Sequence, residues 1–103
     1  LVALELGGKN TSIIHHHTNM SHALPELLRA CFLTTGQRCT STSMILVHRK
    51  IEQQFINEFK KVTERIRVGH PTLCKPDPFM GPLIDEAAVK MYFDFCAAGV
   101  KEG

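Results

Sequence analysis

Met44-Ile45-Leu46-Val47 is an unbroken apolar run of strand length, and such a run without polar alternation predicts a strand buried on both faces of a parallel sheet. Upstream of it, Leu24, Leu27, Leu28, Cys31 and Phe32 recur at i, i+3, i+4, i+7 and i+8, which puts all five on one side of a helix that Gly36 stops. Asn19 or Ser21 can cap this helix, and Pro25 is tolerable only in its first turn, where a missing N–H loses no bond. Before it, Ser12-Ile13-Ile14 reads as a strand, and Leu1-Val2-Ala3-Leu4-Glu5-Leu6 as another, the two flanking a corner at Gly7-Gly8. Downstream, Ile51, Phe55, Phe59, Val62 and Ile66 step by three or four and predict a second amphipathic helix, terminated by Gly69 and Pro71. Its last turns hold Lys60, Lys61, Arg65 and Arg67, favourable beside the negative helix end. Four prolines between His70 and Pro82 predict an irregular loop. A last helix is expected from about Asp85 to Gly99, with Ile84, Ala88, Met91, Phe95 and Cys96 at helical spacing. Strand, helix, strand and helix in alternation predict an α/β fold: a parallel-sheet βαβ unit with right-handed crossovers.

Composition bounds the function. In 103 residues there is room for one core and none for separate cofactor and substrate domains. Hydrophobic residues at 44% and charged residues at 21% predict a packed globular chain, not a disordered one. The net charge of +2 is spread along the sequence without a basic tract or interleaved aromatics, which argues against nucleic acid as a partner. No apolar run approaches the ~18 residues of a membrane span, and the first residues lack a secretory pattern, so the expectation is a cytoplasmic chain. Cys31, Cys39, Cys74 and Cys96 form no CxxC pair and read as reduced thiols.

Two residues stand out chemically. Cys39, in the polar turn Gly36-Gln37-Arg38-Cys39, does not fit a helix stripe, and Arg38 beside it would favour thiolate over thiol. Taken alone it is either a nucleophile or an ordinary loop thiol; Cys31, Cys74 and Cys96 are read as structural. Glu5 is the one charge in an apolar run. It is either a buried carboxyl with its pKa raised into the range of a general base, or an edge-strand carboxylate pointing into water. His15-His16-His17 could offer two metal ligands, His15 and His17, but spacing implies no third, and no metal is expected. Gly7 and Gly8 form no phosphate-cradling GxGxxG; they read as a tight turn.

Leu4-Glu5-Leu6-Gly7-Gly8-Lys9-Asn10, followed downstream by Gly36-Gln37-Arg38-Cys39-Thr40, resembles the paired signatures of the aldehyde dehydrogenase superfamily. The likeness continues through Arg67-Val68-Gly69 and Gly81-Pro82-Leu83-Ile84, so it covers essentially the whole chain. Within the superfamily these motifs, with Pro78-Phe79-Met80-Gly81, look most like the succinylglutamate-semialdehyde dehydrogenases of arginine catabolism. Lys9, Thr11 and Ser41-Thr42-Ser43 depart from that subfamily's pattern. The resemblance implies that residues 1–103 are part of the catalytic domain, without the cofactor-binding domain. It implies Cys39 as nucleophile, Glu5 as general base, Leu6 and Gly7 against the nicotinamide of NAD or NADP, and a small-molecule aldehyde as substrate. The family's oxyanion-hole asparagine is expected before this segment and its ribose-holding glutamate after it. The isolated chain is therefore expected to be inactive and to form a homo-oligomer through exposed apolar edges. Two other classes fit the residues: a non-catalytic interaction or assembly fragment retaining the fold, and a cysteine hydrolase, for which none of the six histidines offers an identifiable base.

Overall fold

The computed structural model describes residues 1–103. In chain order it contains β1 (Asn10–Ile14), α1 (Met20–Phe32), a 3₁₀ turn (Leu33–Gly36), β2 (Thr42–Val47), a second 3₁₀ turn (Arg49–Ile51), α2 (Glu52–Thr63) and α3 (Glu86–Glu102). β1 and β2 pair in parallel, Thr11 opposite Met44 and Ile14 opposite Val47, with α1 as the crossover. The predicted α/β class and βαβ unit are thus present as a two-stranded sheet.

Asn19 caps α1, its side chain accepting from the Ser21 N–H at 3.0 Å. Pro25 lies further along inside the helix and not in the first turn, which corrects the expectation for it. It is exposed there, while Leu24 and Leu27 face inward. Asp85 caps α3 by accepting from Ala88 N–H at 2.8 Å. This helix runs through Gly99 to Glu102 instead of ending at the glycine, which costs a helix interior only about 1 kcal/mol and does not by itself end it. α2 stops at Thr63, well before Gly69, and Glu64 to Ile66 continue as turns. Arg65 and Arg67 therefore lie outside the helix; Arg67 instead holds the proline-rich loop, donating to the carbonyls of Pro76 and Asp77 at 3.3 and 2.9 Å.

Two expectations about the strands are corrected. The apolar run Leu1–Leu6 forms no strand and is exposed throughout, since no strand among these residues lies beside it. Met44–Val47 is not buried on both faces. Ile45 and Val47 pack inward, whereas Met44 and Leu46 remain 54% and 49% exposed. Successive side chains point to opposite faces of a strand, and the core assembles on one face only: Ile14, Leu24, Leu27 and Phe55, edged by Ile45, Val47, Phe59 and Val62. Full burial of a side chain of this kind contributes about 1.5–3 kcal/mol, an upper bound for these four, which keep 4–6% of their surface exposed. The radius of gyration, 16.1 Å, exceeds the ~13 Å of a compact domain of this length, in keeping with α3, which has no buried residue.

Candidate active site

Parallel pairing places the same ends of β1 and β2 side by side, so the residues preceding each strand meet. Glu5, Leu6, Gly7 and Gly8, ahead of β1, and Gly36, Gln37, Arg38 and Cys39, ahead of β2, line one open cleft of ≈ 520 Å³. All four residues that the family resemblance marks out, Glu5, Leu6, Gly7 and Cys39, are brought together there.

A sharp reversal delivers Cys39 to this place. Thr34, Thr35 and Gly36 adopt successive left-handed conformations, φ 56°, 57° and 70°. This is an unfavourable region for β-branched residues, at about 1–2 kcal/mol each. At Gly36 a Cβ would lie 2.9 Å from the Cys31 carbonyl oxygen, so glycine is required by space as well as by φ. Asn10 then fixes the loop: its side-chain amide donates to the carbonyl oxygens of Cys39, at 2.5 Å, and Ser41, at 3.0 Å. The Ser43 hydroxyl returns a bond to the Asn10 carbonyl at 3.4 Å, and Ser12 and Thr42 hydroxyls meet across the strands at 2.8 Å. In the sequence Asn10 is visible only as part of a motif; its clamping role follows from the strand register.

Two sequence readings are decided here. Glu5 is exposed, not buried in an apolar strand, which leaves the open-carboxylate reading within these 103 residues. Arg38 turns its guanidinium back toward α1 and donates to the Arg29 carbonyl at 3.1 Å. That carbonyl already accepts from the Leu33 N–H, so the guanidinium adds a second bond there and does not simply face the thiol. Cys39 itself is exposed and reduced, as are the other three cysteines to varying depth. The Cys39 N–H has no backbone acceptor. Burial pushes the Cys31 thiol above its ordinary range.

At the opposite ends of the strands, the structure assembles a group that sequence spacing did not reveal. His15 and His16 follow β1, His48 follows β2, and one ring nitrogen from each lies within 4.8 Å of the others. His15 is held below its ordinary pKa by loss of solvent and then by repulsion from His16, His48 and His17. The third member, His48, was legible only through the parallel register, which carries residues 15 and 48 to adjacent positions. No helix is long and apolar enough to cross a membrane.

The profile of the aldehyde dehydrogenase family matches residues 1–103 in full. Among similar proteins, 4-trimethylaminobutyraldehyde dehydrogenase of Mus musculus is 38% identical over 102 residues, covering 99% of this chain and 20% of that enzyme. HpcC from Thermus thermophilus superposes with a TM-score of 0.84 at 33% identity, over 96% of this chain and 19% of that structure. Glyceraldehyde-3-phosphate dehydrogenase GapN from Methanocaldococcus jannaschii, in complex with NADP, superposes with a TM-score of 0.85 at 30% identity, over 96% of this chain and 21% of that structure. The chain thus spans about a fifth of the length of the relatives it matches. A profile match from first residue to last, on a fold that solved members share, means that the chain belongs to the aldehyde dehydrogenase family.

Proposed function

We propose that these residues are the nucleophile-bearing part of the catalytic domain of an NAD(P)-dependent aldehyde dehydrogenase, oxidising an aldehyde to a carboxylate. The observation that carries this reading is the shared cleft of Glu5–Gly8 and Gly36–Cys39 in a chain of this family. Cys39 as thiolate attacks the carbonyl carbon, and the resulting thiohemiacetal oxyanion accepts from the Cys39 N–H, which has no backbone acceptor of its own. NAD or NADP, when bound, supplies the hydride acceptor. Leu6 and Gly7 suit the edge of a planar ring: the leucine side chain is 71% exposed on the cleft, and no atom lies within 4 Å of where a Gly7 Cβ would project. Glu5 takes a proton from the water that hydrolyses the Cys39 thioester, so the two residues serve successive steps.

The substrate reading is finer than the family. The motif likeness favours N-succinylglutamate 5-semialdehyde, while similar enzymes carry other substrates in their names, 4-trimethylaminobutyraldehyde among them. The four unpaired cysteines favour a reducing, cytoplasmic setting. By itself the segment, a fifth of a full-length relative, is proposed to be inactive. Its exposed Ile13, Met44 and Leu46 favour self-association. The same exposed face supports the second reading, an assembly module without turnover of its own.

The test is NAD(P)+ reduction by the full-length polypeptide with a panel of semialdehydes. Cys39→Ser is expected to reduce kcat by at least about 10³-fold. Glu5→Gln is expected to slow deacylation by about 10²–10⁴-fold and to leave a burst of reduced cofactor. Full turnover in either variant removes that residue's role, and full turnover in both favours the assembly reading.

A further inference from the structure

The histidines beyond the strands form a second constellation, at the far end of the sheet from the cleft. Pairing ends with Ile14 opposite Val47, and the His48 N–H donates to the Ile14 carbonyl at 2.9 Å. The chain therefore delivers His15-His16 and His48 to one spot without any long-range loop to position them. Ring centroids of His15 and His16 stand 5.3 and 4.6 Å from that of His48. Ligand nitrogens of all three lie within 4.8 Å of one another. Around a tetrahedral cation with metal–nitrogen bonds of ~2.0–2.1 Å, those nitrogens stand ~3.4 Å apart. His15 is exposed and His16 and His48 are half-buried, and side-chain rotation would close the three nitrogens to that spacing. Independently of that spacing, His16 Nδ1 is buried without a hydrogen-bond partner. Buried polar atoms are nearly always satisfied, so this nitrogen lacks the partner that a bound cation would give it.

We propose that His15, His16 and His48 form a binding site for a divalent first-row transition metal, with the remaining coordination position open to water. Three neutral imidazoles with no carboxylate or thiolate in the set suit Zn²⁺, Ni²⁺ or Cu²⁺ and not Ca²⁺ or Mg²⁺, which take oxygen ligands. His48 makes one exchange. Its Nδ1 accepts from the Lys50 N–H at 3.2 Å, capping the 3₁₀ turn at Arg49–Ile51. Coordination through Nε2 puts the ring proton on Nδ1, so this long hydrogen bond is given up for the metal bond. A bound ion ties the ends of β1 and β2 together and stabilises the folded chain by mass action.

The experiment is calorimetric titration of the full chain with ZnCl2 after its cysteines are blocked with N-ethylmaleimide, together with the spectrum of the Co²⁺ form. One ion per chain is expected, with no thiolate charge-transfer band. His16→Ala and His48→Asn are expected to weaken binding by at least about tenfold, the scale on which even outer partners of a metal act, while His70→Ala leaves it unchanged. The asparagine side chain of the second variant preserves an acceptor for the Lys50 N–H, and far-ultraviolet circular dichroism confirms that the variant folds. Undiminished binding in a folded His48→Asn chain overturns the site, because the His15-His16-His17 run would then chelate alone as a flexible tract. Absence of binding to the unaltered chain overturns it equally.

Discussion

The two ends of one small sheet carry chemistry of different kinds, and they were legible to different degrees. At the amino ends of β1 and β2 lie Glu5, Gly7 and Cys39, all in short motifs. At the carboxyl ends lie His15, His16 and His48, of which only the histidine run is visible in the sequence. Strands of five and six residues separate the groups by roughly 15–20 Å at ~3.3 Å per residue. Open α/β sheets usually bind ligands beyond the carboxyl ends of their strands; here the cleft is at the other end and the histidines occupy the usual one. A parallel register guarantees that both ends become meeting places. It does not decide which end the side chains make reactive.

The comparison breaks first at the strained reversal before Cys39. Gly36→Ala is expected to destabilise the chain by about 2–3 kcal/mol, adding the left-handed penalty to a clash with the Cys31 carbonyl. Urea unfolding measures this, and a loss below about 0.5 kcal/mol would mean the turn relaxes freely. Next comes the clamp: Asn10→Ala removes both bonds to the Cys39 and Ser41 carbonyls, at about 1–2 kcal/mol. Faster alkylation of Cys39 should accompany it, and an unchanged rate would show that the loop needs no tether. At the other end, His16→Leu deletes an unpartnered buried nitrogen. In metal-free protein it should raise stability by about 1 kcal/mol; a comparable loss would mean that water already satisfies the ring.

The smallest effect separates two thiols on either side of the reversal. Cys31 is half-buried and its pKa is raised by that burial, so at any pH below its titration it holds less thiolate than an ordinary cysteine. Alkylation of Cys31 should be several-fold slower than that of exposed Cys39 and should keep climbing into more alkaline solution than for a free thiol, as peptide mass mapping across a pH series would read. Equal rates would mean that α1 opens easily around Cys31.

The faces of α1 and α2 were legible because their apolar spacing is local: Leu24, Leu27 and Phe55 are buried as the 3.6-residue period requires, whereas Met91 and Phe95 of α3 keep the spacing and stay exposed. The α1 cap was legible as Asn19 or Ser21, and the start of α3 as about Asp85, because caps are decided within three residues; the structure selects Asn19 and shows Asp85 as the cap. The ends of α2 and α3 were not legible, since α2 stops at Thr63, short of Gly69, and α3 runs through Gly99 to Glu102: a glycine permits a helix end without imposing one. Met44-Ile45-Leu46-Val47 misled because an all-apolar run states that a strand can be covered twice, not that both covers lie within the same 103 residues.

What the sequence determined by itself was the α/β alternation, the amphipathic faces and the motifs around Glu5 and Cys39, all of them properties of residues within a few positions of one another. The tertiary structure alone decided that Asn10 holds the Cys39 loop, that Arg38 turns away to α1, and that His48 joins His15 and His16. Those contacts depend on strand register, and register is set by the packing of α1 and α2 across one face of the sheet, a long-range energy that no local pattern encodes.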